Sequence, residues 1–317
     1  MTESLHTPDQ AEKSTNGRPF DRSEYLAIRQ QAEEARAQRV ALAALSLFAP
    51  RRAEARAAEL FGRPQPSRAR QLPEVPGLTA VHSRVSFRDG SLSVSEWGQG
   101  PAVLLVHGWN GHAGEMAAFV APLVAAGRRV VAFDQPAHGR SSGQRATLID
   151  LAGAVRAVAD AVGPLDAIVA HSLGATASAL AVTWGLPASR LVLIAPPGNV
   201  PYFARAFARQ LGLSAARAEG MLVQLRKQIG DLDALELASL RPSARTSALV
   251  LHDRGDREVP FEHGAALARA WAGTRFVPLD GLGHGRVLRD PGVVQLVTSF
   301  AAGRDDGAHA VRPLRAA

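Results

Sequence analysis

The chain predicts an α/β protein: a mostly parallel central sheet with helices on both faces, a small helical insertion and an N-terminal helical extension. Three observations carry this. The run Ala102-Val103-Leu104-Leu105-Val106 is apolar without interruption, as a strand buried on both faces must be. Further short apolar runs alternate with helix-periodic segments across short loops, the order that builds a parallel sheet. In the stretch Leu165-Asp166-Ala167-Ile168-Val169-Ala170-His171-Ser172-Leu173-Gly174-Ala175, a strand turns into an Ala-rich helix within two or three residues. Such a junction strains its apex residue, and the small Ala170 and Gly174 leave room for the close approach.

Composition bounds the function. The 317 residues are 46% hydrophobic and 21% charged, which suits one large domain with additions. No apolar run approaches the roughly 20 residues needed to span a bilayer. Residues 1–20 are polar and lack the apolar core of a signal peptide, so a cytoplasmic location is expected. The absence of Cys removes disulfides, thiolate metal sites and Cys nucleophiles. The net charge of +7 comes almost wholly from Arg, Lys13 and Lys227 being the only lysines. These arginines are scattered, often near acids, and no aromatic-interleaved basic stripe occurs, so a nucleic-acid partner is not expected.

In chain order, residues 1–20 read as disordered and 21–72 as a helical extension and linker. Asp21 or Ser23 can cap a helix over 24–49 that Pro50 stops; a second runs over 52–61 and ends at Gly62. The segment 40–49 is apolar on nearly every face. Packing against the main domain or a second subunit is the favoured use, and contact with a membrane surface beside Arg51, Arg52 and Arg56 the other.

The core spans 73–198 and 243–303. Strands are expected at 81–87 and 91–97, joined at Asp89-Gly90, then at 102–106, 129–133, 165–169, 190–195, 248–252 and 275–279. Helices are expected at 115–126, 148–162, from Ser172 onward, at 261–271 and at 287–301. The alternation fails between 199 and 242, where two helical segments follow one another without a strand; this is a candidate lid above the strand ends. The tail, 304–317, reads as loose.

A Ser hydroxyl becomes a nucleophile when a base takes its proton and a third group orients that base. Ser172, at the carboxyl edge of its strand with a helix N-terminus beneath it, has the position for this. His171 is its neighbour and points away, so it is not the base. His284, in Leu282-Gly283-His284-Gly285 after the last strand, reaches the same edge and is the expected base. The orienting acid should leave another strand there. Asp256 in Gly255-Asp256-Arg257-Glu258-Val259-Pro260 is preferred, with Asp253 left to bond its own loop. Acyl transfer also needs donors for a developing oxyanion. These are expected from the backbone N–H of Leu173 and that of Trp109, in a loop supported by His107 and Gly108. No spacing resembles a metal site, and no phosphate or dinucleotide loop is present, so neither a metal nor a cofactor is expected.

Together and in this order, Val106-His107-Gly108-Trp109, Asp134-Gln135-Pro136-Ala137-His138-Gly139-Arg140-Ser141, Ala170-His171-Ser172-Leu173-Gly174, Gly255–Pro260 and Gly283-His284 resemble the α/β-hydrolase family over about 73–303. The family's usual Gly at the first elbow position is Ala170 here. The resemblance implies a serine hydrolase acting on an ester-type bond of a small molecule through an acyl-enzyme. The aromatic and aliphatic residues of the insertion hint at an apolar acyl part. Acyl transfer, carbon–carbon bond hydrolysis, and ligand sensing without catalysis remain open on the same scaffold.

Overall fold

The computed structural model describes residues 22–65, 74–240, 242 and 245–304. The expectations for 1–20, for the linker residues 66–72 and Pro73, and for the tail beyond Arg304 lie outside these residues. The core is one eight-stranded sheet in the order β1-β2-β4-β3-β5-β6-β7-β8, with β1 Val81–Phe87, β2 Gly90–Trp97, β3 Ala102–Val106, β4 Arg129–Phe133, β5 Leu165–His171, β6 Ala188–Ile194, β7 Ser247–Asp253 and β8 Arg275–Leu279. β2 runs antiparallel to β1 and β4; every other pairing is parallel.

The period of two along each strand divides the core into two layers. Leu104, Val106, Ile168 and Ala170 face α4 (Leu148–Val162), α5 (Leu173–Thr183) and α8 (Phe261–Ala270). Val103, Leu105, Ala167 and Val169 face α3 (Val120–Ala125) and α10 (Pro291–Ala301). Full burial of each Val, Leu or Ile among these contributes roughly 1.5–3 kcal/mol, so the central strands anchor whatever their ends carry.

Several boundaries differ from those expected, each for a local reason. Pro50 occupies the first position of α2 (Pro50–Phe61) rather than only ending α1 (Arg22–Phe48), because a proline at N1 loses no helical hydrogen bond. The helix expected over 115–126 opens as a 3₁₀ segment, Ala113–Phe119, whose N-terminus is capped by the His112 ring before α3 takes over. The helix expected over 287–301 starts only at Pro291, as α10, which Asp290 caps by accepting from Val293 N–H, and a separate short α9, Gly283–Arg286, precedes it.

Between β6 and β7, α6 (Val200–Gln210) and α7 (Ala215–Ile229) pack on α2 around Ala57, Ala58, Ala204, Ala208, Met221 and Leu222. The buried Glu54 pairs with Arg217 at 2.7 Å, and Gly220 has no side chain because one would overlap the Glu54 carboxyl. Phe61 and Phe207 meet with ring centroids 5.5 Å apart. The N-terminal extension and the insertion are therefore one helical layer. Of the apolar segment 40–49, only Leu42 is buried. No helix among the described residues is long and apolar enough to cross a membrane.

Candidate active site

Ser172 sits between β5 and α5 at φ 52 and ψ −131, a conformation that a non-glycine residue holds only under constraint. The constraint is visible. Its N–H donates to Ile194 O at 2.9 Å, and its carbonyl accepts from Ala175 N–H at 2.8 Å. A Cβ at Gly174 would fall 2.2 Å from His107 O, so only glycine lets α5 start this close to β3. Ser172 Oγ is thereby presented at the carboxyl edge of the sheet.

The structure brings three predicted residues together there. Ser172 Oγ lies 3.0 Å from His284 Nε2, and His284 Nδ1 lies 2.7 Å from Asp256 Oδ2. Asp256 Oδ1 accepts from the N–H groups of Glu258 and Val259 at 2.8 and 2.9 Å. Burial acts to raise the Asp256 carboxyl. The adjacent His252 ring and the hydrogen bonds from His284 and the Val259 N–H outweigh it and hold the group well below the usual carboxylate range. Asp253 does not reach His284. Its two oxygens accept from Gly255 N–H at 2.8 Å and Leu282 N–H at 2.7 Å, joining the loops after β7 and β8.

The loop after β3 faces Ser172 across Gly108, where an added Cβ would come 2.8 Å from the Ser172 Cβ. His107 is fully buried; its Nδ1 donates to Gly108 O at 2.7 Å and its Nε2 accepts from Gln135 N–H at 2.9 Å. His138 repeats the pattern between Pro136 O (2.8 Å) and Asn110 N–H (3.1 Å). Burial pushes both imidazoles down, His107 strongly, so the neutral tautomers that make these bonds are favoured. Among the described residues, the backbone N–H groups of Trp109 and Leu173 have no hydrogen-bond acceptor.

Two histidines take part in ways that the sequence did not reveal. His171 Nε2 donates to His284 O at 3.0 Å, and burial lowers its pKa to about 3. His252, beneath Asp256, donates from Nε2 to Val259 O at 3.0 Å and lies 3.6 Å from Asp256 Oδ2. The signal is position: both occupy strand ends, His171 next to Ser172 and His252 four residues before Asp256. His263 accepts from Gly198 N–H through Nδ1 at 3.1 Å and packs against Tyr202 and Phe203.

Ser172 and His284 open into a cleft of about 1450 Å³ whose apolar wall includes Phe61, Trp109, Phe203, Phe207, Leu225 and Ile229. Phe61 comes from α2, so the N-terminal extension is part of the cleft. Among the described residues, no group of three or more His, Asp or Glu side chains is placed to hold a metal ion.

The chain belongs to the alpha/beta hydrolase family: the family's sequence model matches residues 103–295, more than half of the chain. Comparison with curated protein sequences gave no match. Among solved structures, Est1E from Butyrivibrio proteoclasticus with ferulic acid bound is 19% identical, with a TM-score of 0.55 over 70% of this chain and 96% of that one. A membrane phospholipase A described as a bacterial virulence factor is also 19% identical, with a TM-score of 0.55 over 90% of this chain and 100% of its own. The thioesterase domain of the curacin biosynthetic pathway is 18% identical, with a TM-score of 0.53 over 70% and 99%. At these identities the likeness is one of fold.

Proposed function

We propose that the protein is a serine hydrolase that cleaves carboxylic esters or thioesters through an acyl-enzyme on Ser172. The observation that carries this reading is the continuous chain from Ser172 Oγ through His284 to Asp256, with links of 3.0 and 2.7 Å, in the wall of a large cleft. In this reaction His284 Nε2 takes the Ser172 proton as Oγ bonds to the acyl carbon. Asp256, kept ionised by its donors, holds the imidazole in the required tautomer and stabilises the imidazolium. The unoccupied N–H groups of Trp109 and Leu173 are suited to receive the oxyanion.

The tetrahedral species then expels the alcohol or thiol, which leaves with the proton from His284. Water enters, gives a proton to the same nitrogen and attacks the acyl carbon. Collapse releases the acid and returns the proton to Ser172. The aromatic and aliphatic wall of the cleft favours an apolar acyl part. The thioesterase domain and the phospholipase A named among the similar folds are in keeping with this class.

The test is steady-state hydrolysis of p-nitrophenyl esters from acetate to dodecanoate by wild type and Ser172→Ala. Turnover should fall by roughly 10³-fold or more in the variant, and kcat/KM should rise with chain length over the first several members. Equal turnover by the variant would remove Ser172 from the mechanism. A preference for acetate would remove the apolar acyl part.

A further inference from the structure

The end of α1 and the start of α2 form a surface that the proposed hydrolysis does not use. Val40, Ala44, Leu47 and Phe48 follow the spacing of one helical face, and that face is bare. Val40 is 64%, Leu47 78% and Phe48 88% exposed. Exposed large apolar side chains are usually scattered singly; a contiguous group marks a contact surface.

Four arginines lie beside this face, and the exposed acids Glu33 and Glu34 lie farther back along α1. Arg36, Arg39, Arg51 and Arg52 are all exposed. Arg51 and Arg52 occupy the first turn of α2, where positive charge opposes the helix dipole, and no acid lies in that turn. The acids of α2 are engaged elsewhere: Glu54 turns inward to Arg217, and Glu59 pairs with Arg56 at 2.9 Å. Apolar side chains ringed by arginines at a helix N-terminus suit a surface that offers hydrocarbon and negative charge together.

We propose that this face binds an anionic lipid surface, with Val40, Leu47 and Phe48 entering the acyl boundary and Arg36, Arg39, Arg51 and Arg52 meeting the headgroup phosphates. Binding lies in the interface rather than across it, since no described helix can span a bilayer. α2 then connects the bound surface to the cleft, with Arg51 in its first turn and Phe61, a cleft-lining residue, at its far end.

The test is flotation of the full chain with vesicles of phosphatidylcholine alone and of phosphatidylcholine mixed with phosphatidylglycerol, beside light scattering for the oligomeric state. Wild type should float with the mixed vesicles and much less with the neutral ones. Arg51→Glu with Arg52→Glu should weaken partitioning roughly thirtyfold, from about fivefold per arginine. Leu47→Glu with Phe48→Glu should weaken it by more than about tenfold through the lost apolar burial. Circular dichroism melting, expected to be unchanged at these exposed positions, separates lost binding from lost folding. Wild type that floats with neither vesicle, or with both equally, overturns the proposal. So does a wild-type dimer that binds no vesicle and that Leu47→Glu with Phe48→Glu separates, since the face then belongs to a second copy of the chain. None of these readouts depends on catalysis.

Discussion

His171 Nε2 donates to the carbonyl oxygen of His284 at 3.0 Å, and the two rings lie 4.6 Å apart between centroids. The residue beside Ser172 thus fixes the main chain of the residue that faces it, across 113 positions of sequence. His171→Phe keeps the bulk and removes the donor. We expect kcat/KM on a soluble ester to fall roughly 10–100-fold, as for a small displacement of a reacting group. Stability should fall by about 1–3 kcal/mol for the unpaired carbonyl. His171→Gln, which can still donate, should recover part of both.

Stability should fall with acid from about pH 6.5 downward. Burial holds His171 at a pKa of about 3 and lowers His107 and His138 as well. Below the ordinary histidine pKa near 6.5, the unfolded chain binds protons that the folded chain does not. The stability from these neutral rings is therefore complete above about pH 6.5 and is lost toward pH 3 for His171, at about 1.4 kcal/mol per pH unit for each ring. Urea midpoints at several pH values measure this slope. His171→Gln should make it shallower by one histidine's share.

Asp256 and Asp253 should separate by readout. Asp256→Asn should cost about 10³–10⁴-fold in kcat, because the imidazole loses the acceptor that fixes its tautomer. Asp253→Asn loses one of the two loop bonds to Gly255 and Leu282 N–H. It should lower stability by about 1–3 kcal/mol with the smaller effect on rate. Kinetics and thermal unfolding on the same two variants check this; a larger rate loss for Asp253→Asn would reverse the two roles.

The two glycines facing the elbow should fail differently. Gly174→Ala sets a methyl group 2.2 Å from His107 O and 2.9 Å from Val106 O, both main-chain atoms that cannot swing away. A destabilisation of roughly 3 kcal/mol, near the top of the overpacking range, is expected in melting experiments. Gly108→Ala meets the Ser172 Cβ at 2.8 Å. It should displace the loop that carries the Trp109 N–H, so activity should suffer more than folding.

Much of this was legible because strands buried on both faces announce themselves as unbroken apolar runs, and loops at their carboxyl ends then share an edge. That logic is enough to bring Ser172, Asp256 and His284 within reach of one another. It also separates Asp256, one residue past Gly255 and out in the loop, from Asp253 at the strand end. What stayed hidden depends on tertiary contact. Nothing local to α2 says that Phe61 will line the cleft, or that Glu54 will turn inward to Arg217 and leave Arg51 and Arg52 at the surface. The His171 bond to His284 O is equally invisible, since its partner lies 113 residues away.

The central claim, that Ser172 is the nucleophile, is tested most directly by reacting the native protein with a fluorophosphonate and locating the adduct by peptide mass spectrometry. One adduct is expected, on the peptide containing Ser172, lost in Ser172→Ala and strongly slowed in His284→Ala. Labelling of Ser172→Ala at the wild-type rate, or an adduct on another residue, would contradict it.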